Sequence, residues 1–107
     1  MISERVYKNV IKFRDDRDWK KFHNGKDLAI SLSLEANELL ELYQWSGIDL
    51  ERENKIESIK EELADVLIYS LMIADHYHLN LDQIIEEKLV KNLKKYSNGE
   101  IIDLKNR

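Results

Sequence analysis

The sequence predicts an all-α protein, a four-to-five-helix antiparallel bundle that assembles as an oligomer, and three features point there. Proline is absent from the 107 residues and glycine occurs only at Gly25, Gly47 and Gly99, so helix breaks are confined to few places. Between those glycines Leu, Ile, Val and Ala recur at three- and four-residue spacing, the period of a helix with an apolar face. The connections are short, which makes consecutive helices antiparallel neighbours.

The first helix is expected from roughly Ser3 to Asp18, with Val6, Val10, Ile11 and Phe13 at helical intervals. A polar and aromatic link follows, from Trp19 through Phe22 and His23 to Gly25. The second helix runs from Asp27 to about Trp45; Asp27 suits the N-cap, and a surface apolar nearly all round predicts that the helix is largely buried. Ser46-Gly47-Ile48-Asp49 ends it. The third helix, from about Leu50 to Tyr77, carries Ile56, Ile59, Leu63, Val66, Leu67, Ile73 and Ala74 as its inner stripe. Leu79-Asn80-Leu81-Asp82 reads as a turn plus N-cap, and Ile84, Ile85, Leu89 and Leu93 then repeat at helical spacing up to Tyr96. From Ser97 the chain reads as a short tail. With no repeat, low-complexity run or linker, residues 1–107 are expected to form one domain.

Composition excludes several classes of function. Seventeen basic against 21 acidic residues give a formal charge of -4, which argues against nucleic acid held on a general basic surface. Without cysteine there is no disulfide, thiolate metal site or cysteine nucleophile, so a metal must be held by oxygen or imidazole. The charged N-terminus lacks the apolar core of a signal peptide and no stretch is long enough to cross a bilayer uncharged, so a cytoplasmic protein without membrane contact is expected. A chain this short buries a modest fraction of its surface, which makes a homo-oligomer the natural home for its apolar excess.

Two acidic pairs carry the chemistry. Glu35-Ala-Asn-Glu38 lies in the second helix and Glu62-Leu-Ala-Asp65 in the third, and a spacing of three puts both acids of a pair on one helix face, where like charges repel. In a chain this charged, an isolated pair is ordinarily a solvated face. These pairs instead interrupt apolar surroundings: Glu35 and Glu38 sit among Leu and Ala, and Glu62 and Asp65 flank Leu63 and Val66. If the helices pack antiparallel the pairs converge, and buried carboxylates in such a cluster call for cations. Oxygen ligands with room for water suit Mg²⁺, or Mn²⁺ in its place, together with substrate phosphates. A di-iron bundle would bring Glu-x-x-His motifs, and no Glu here has His three residues later.

Four runs extend this pattern: Phe13-Arg14-Asp15-Asp16-Arg17-Asp18-Trp19, then Phe22-His23, then Glu35 to Trp45 with Glu41 and Gln44 inside it, then Glu61-Glu62-Leu-Ala-Asp65-Val-Leu-Ile-Tyr69. Over about residues 10 to 96 the chain resembles the MazG-like nucleotide pyrophosphohydrolases, and is especially similar to their short dCTP-pyrophosphatase and integron-type branch. The resemblance implies an all-α oligomer, a dimer or tetramer, that hydrolyses a nucleoside triphosphate, NTP or dNTP, to the monophosphate and pyrophosphate. It implies Glu35, Glu38, Glu62 and Asp65 as the Mg²⁺ ligands and catalytic acids. Glu38 is the choice for the carboxylate that takes the proton of the attacking water, with Glu41 and Glu61 behind the ligands or simply solvated.

On the substrate side the resemblance implies Trp19 and Trp45 at the base, where an indole face offers a flat stacking surface, and Tyr69 beside the sugar. Lys88, Asn92, Lys95 and Tyr96 match a family motif that serves the phosphates and sugar, with Ser97 where proline is usual. Val10 stands where some dCTP-preferring members have a histidine, and Gly25 and Asp27 replace a common Pro and Asn, so base preference is left open. His76 and His78, two apart, point in different directions and read as surface or capping residues, while His23 belongs to the link or the pocket rim. The competing expectation is an inactive helical interaction module whose oligomer surface is its function. A carboxylate-bridged redox protein is the remaining alternative.

Overall fold

The computed structural model describes residues 2–44 and 55–96. These residues form four α-helices and a turn of 3-10 helix, with no strand: α1 (Glu4–Asp16), the 3-10 turn (Lys20–Phe22), α2 (Gly25–Gln44), α3 (Ile56–His76) and α4 (Leu81–Tyr96). The all-α reading is therefore right. Trp45, the Ser46-Gly47-Ile48-Asp49 break, the expected start of the third helix at Leu50 and the tail from Ser97 lie outside the described residues.

Side-chain caps set the starts of α1, α2 and α4. The Ser3 hydroxyl accepts the Val6 N–H at 3.2 Å and opens α1. Beyond Asp16 the chain turns through Asp18, whose φ of 56° is one that aspartate tolerates, and the Trp19 N–H folds back onto the Arg14 carbonyl at 3.1 Å. The cap of α2 corrects the sequence reading. Asn24, not Asp27, is the N-cap: its Oδ1 accepts the Asp27 N–H at 2.8 Å and its Nδ2 donates to the Asp27 carboxylate at 2.9 Å. Asp27 thus answers the cap from the third helical position, and Gly25 begins a helix instead of breaking one. The cap expected at the start of the fourth helix is Asn80, whose Oδ1 accepts the Gln83 N–H at 3.0 Å.

The helices α2 and α3 pair along most of their length, α1 leans on α3, and α4 makes only marginal contact with the others. Two contacts show that α2 and α3 are antiparallel: Glu35 meets Asp65, and Gly25 meets Tyr77. At that second corner a Cβ on residue 25 would lie 1.8 Å from the Tyr77 hydroxyl oxygen, so any larger residue there has to turn the tip of that exposed ring aside.

Leu28 of α2 and Leu71, Met72 and Ala74 of α3 are the fully buried apolar residues among those described. Here the structure corrects the expectation that the second helix is largely buried: Leu34 and Leu40 are 59% and 61% exposed. Leu63 and Leu67, read as inner-stripe residues of the third helix, are nearly half exposed as well. An apolar helix needs cover on every side, and within one chain α2 and α3 cover each other on one side only.

Arg14 is the buried charged residue, 4% exposed. Its guanidinium donates to Asp75 at 2.7 Å and to Asp15 at 3.0 Å, and the Tyr7 hydroxyl donates to the other Asp75 oxygen at 2.7 Å. Burial and then the bond to Asp75 push the Tyr7 phenol up to about 12. Burial alone would raise Asp75, but the Arg14 and Tyr7 hydrogen bonds outweigh it and hold the carboxyl below the usual aspartate range. The stabilisation from this shift is thus present above the ordinary aspartate pKa and is lost as the pH falls through the depressed one. Asp75→Ala leaves a guanidinium buried with half its partners and is expected to cost about 3 kcal/mol. Tyr7→Phe removes one hydrogen bond and should cost about 1 kcal/mol; urea unfolding followed by circular dichroism measures both.

Candidate active site

The pairing of α2 with α3 brings the two acidic motifs together. One carboxylate oxygen from each of Glu35, Glu62 and Asp65 lies within 4.8 Å of the others, and all three side chains are half-buried. Glu38, one turn beyond Glu35 and more exposed, shares hydrogen bonds with both Glu35 and Glu62. A carboxyl oxygen of Glu35 and one of Glu62 are sealed from solvent without a partner.

The electrostatics follow from this crowding. Burial, then the hydrogen bond and charge of Glu38, then the charges of Asp65 and Glu62 push Glu35 up to about 7. Glu62 is raised first by its hydrogen bond to Glu38, then by burial and by the charges of Glu38, Asp65 and Glu61. Such a group carries its full negative charge only when a cation joins it, and otherwise shares protons. An all-oxygen donor set with unpartnered, inward oxygens suits a hard divalent cation.

The other sequence candidates are distributed unevenly. Tyr69 is half-buried and follows Asp65 by one turn of α3. Trp19 is half-buried beyond the end of α1, edge-on to Phe13 at 5.4 Å between ring centres. Trp45 is outside the described residues. Lys88, Asn92, Lys95 and Tyr96 share α4, with the Lys95 ammonium 5.4 Å from the Tyr96 ring centre. Their helix packs only sparsely against α2 and α3, which carry the acids. Glu41 and Glu61 are exposed, although the charge of Glu61 reaches Glu62. His76 and His78 are exposed, as expected of surface residues, and the His76 ring meets Tyr77 edge-on at 4.8 Å.

The reading of the sequence missed the Tyr7–Asp75–Arg14 network. A signal was present: Arg14 falls four residues after Val10 and three after Ile11, and Asp75 falls four after Leu71 and three after Met72. Each is a charge on an apolar stripe, and two such charges of opposite sign on neighbouring helices are candidates for a buried pair. A concavity of about 410 Å³ lies at the far end of α3, lined by Ile2, Tyr7, Leu71, Leu79 and Leu81 among others, and none of the clustered acids borders it. No described helix is long and apolar enough to cross a membrane.

Comparison with known proteins agrees with this geometry. dCTP pyrophosphatase 1 of Mus musculus is 34% identical over 90 residues, 79% of this chain and 53% of that protein. The Homo sapiens protein of the same name is 32% identical over 90 residues, with the same coverage. The chain thus spans about half the length of the curated relatives it matches. The crystal structure of a pyrophosphatase from Archaeoglobus fulgidus is similar with a TM-score of 0.75 and 37% identity, over 87% of this chain and 90% of that one. A family model described as MazG-like matches residues 30–106, which takes in both acidic pairs and all of α4. With the paired acids on antiparallel helices and a match over more than half of its length, the chain belongs to the MazG-like family.

Proposed function

We propose that this chain is a Mg²⁺-dependent nucleoside triphosphate pyrophosphohydrolase, cleaving an NTP or dNTP to the monophosphate and pyrophosphate and thereby clearing a nucleotide from the cytoplasmic pool. The observation that carries the reading is the meeting of Glu35, Glu62 and Asp65, with unpartnered oxygens turned inward. The names of the relatives, dCTP pyrophosphatase 1 and a pyrophosphatase, support it.

Glu35, Glu62 and Asp65, with Glu38 beside them, would hold Mg²⁺, or Mn²⁺ in its place. Bound there, the ion supplies neutralisation of the triphosphate charge and a lower pKa for a bound water. Glu38 is the more exposed acid of the group and touches both Glu35 and Glu62, so its carboxylate is placed to take the proton of the attacking water. Water oxygen bonds to the α-phosphorus as the bond to the bridging oxygen breaks, and pyrophosphate leaves. Trp19 and Trp45 stack on the base, Tyr69 abuts the sugar, and Lys88, Asn92, Lys95 and Tyr96 serve the phosphates and sugar.

The enzyme acts as a homo-oligomer, a dimer or tetramer. Leu34 and Leu40 of α2, Leu63 and Leu67 of α3 and Leu89, Val90 and Leu93 of α4 are all exposed in one chain, and a second copy offers the same apolar surface in return.

Pyrophosphate release from a panel of canonical and modified NTPs and dNTPs, with Mg²⁺ and with excess EDTA, tests the activity and ranks the bases. Release that EDTA abolishes is expected, and no release from any nucleotide by folded, Mg²⁺-supplied protein returns the reading to an interaction module. Glu38→Gln and Asp65→Asn should each lower turnover by about 100-fold or more without loss of the helical circular dichroism signal.

Because Glu35 is raised in the folded state, the metal-free protein binds more protons folded than unfolded between the ordinary glutamate range and about 7. The cluster's contribution to stability should therefore decline as the pH rises through that window. The expected thermal melts show a lower metal-free Tm at about pH 8 than at about pH 6, with the deficit removed by Mg²⁺. Glu35→Gln should raise the metal-free Tm at the higher pH. In sedimentation, Leu89→Glu with Leu93→Glu is expected to shift the protein toward monomer.

A further inference from the structure

His23 takes no part in the chemistry proposed above, yet it is half-buried. It follows the 3-10 turn, where its backbone N–H donates to the Lys20 carbonyl at 3.1 Å, and its side-chain Nδ1 is sealed from solvent without a partner. Its ring lies 6.3 Å from the Trp19 indole, tilted by 59°, within the range of a packed aromatic pair.

The same indole is braced elsewhere. Phe13 meets it edge-on, and the Arg17 guanidinium lies 3.5 Å from the centre of the Phe13 ring while donating to the Phe13 carbonyl at 3.1 Å. The Trp19 N–H is bonded to the Arg14 carbonyl, and the Arg14 side chain is anchored to Asp75 of α3. The Trp19 backbone is thus tied through Arg14 to the helix that carries Glu62 and Asp65, and its ring is left to Phe13, His23 and the Arg17 guanidinium, which lies 5.9 Å from the ring centre.

We propose that His23 is a positioning residue that holds the Trp19 indole in a fixed pose, and that the pose lapses when the imidazole gains a proton. Its consequence for catalysis rests on the reading of Trp19 as the nucleobase platform. The pose itself does not.

The charged groups around the imidazole come from three helices: Arg14 of α1, Asp27 of α2 and His76 of α3. Burial, then the charges of Arg14 and His76, hold His23 below the usual histidine range, with Asp27 opposing them. Arg14 cannot yield, because it is fixed by Asp75 and Asp15. The imidazolium therefore moves toward water, and Trp19 loses one of its two aromatic neighbours, keeping Phe13 and the Arg17 guanidinium.

The test is a pH titration of the full chain from about pH 8 to about pH 5, following the indole N–H signals of Trp19 and Trp45 in ¹H–¹⁵N spectra. W45F assigns the two signals. The Trp19 signal is expected to move with a midpoint below about 6.5 in the unmodified protein and in H76N, and not to titrate in H23F, whose ring keeps the packing and takes no proton. H23Q is a second non-titrating variant should H23F fold poorly. A Trp19 signal that stays still in the unmodified protein, or that titrates equally in H23F, overturns the proposal.

In nucleotide hydrolysis at about pH 8, H23A is expected to raise KM several-fold with kcat little changed, and H23F to restore KM. An H23A variant with unchanged KM, or one losing kcat alone, counts against the positioning role. If no nucleotide is hydrolysed, the proposed function fails while the indole titration still decides the pose.

Discussion

Four carboxylates share the seam between α2 and α3, and the rest of the fold has to hold that seam together against their repulsion. Glu35, Glu62 and Asp65 are close enough for one ion to touch all three, and Glu38 bridges two of them by hydrogen bonds. Leu34 and Leu40, in the middle of α2, face outward and lie outside the seam. The fastening comes from elsewhere: the buried cluster of Leu28, Leu71, Met72 and Ala74, and the Arg14–Asp75 pair that brings α1 onto α3. The seam is strained where the chemistry is proposed and secured about two turns away. Separating the two functions in this way lets a crowded acidic site exist within a stable helix pair.

The Arg14 guanidinium has a second effect beyond closing the core. Its own carbonyl receives the Trp19 N–H, so one residue fixes both the packing of α1 and the point from which the link to α2 departs. The link is short, and it ends at the Asn24 cap that starts α2. Aromatic residues and acids that lie far apart in sequence are therefore referred to one rigid corner.

Much of this was legible in the sequence, for identifiable reasons. Helix number followed from apolar periodicity broken at few places, and the convergence of the acids followed from two like-charged pairs at helical spacing on neighbouring helices. Other features depended on context that periodicity does not hold. Asp27 and Asn24 are both good caps, and only the backbone geometry decides that Asn24 fills the role. The exposure of Leu63 and Leu67 was hidden because an apolar residue that the chain's own core covers and one that it leaves open leave the same mark in a sequence. Pairing Arg14 with Asp75 required knowing that α1 crosses α3 at that height, which no local pattern encodes. The α4 residues were readable as a face, but not as a face on a helix that packs so sparsely against the rest of its own chain.

The corner formed by Gly25 and Tyr77 limits how this chain can diverge. The hydroxyl of Tyr77 occupies the volume in which any side chain at position 25 would begin, so a residue larger than glycine there displaces the tip of an exposed tyrosine ring. A lineage that installs proline or alanine at position 25 has to turn that ring aside, a small displacement for a side chain that is 56% exposed. Substitutions at these two sites, remote in sequence and at the opposite end of the helix pair from the break between α2 and α3, are coupled through the position of one ring and not through the backbones of the two helices.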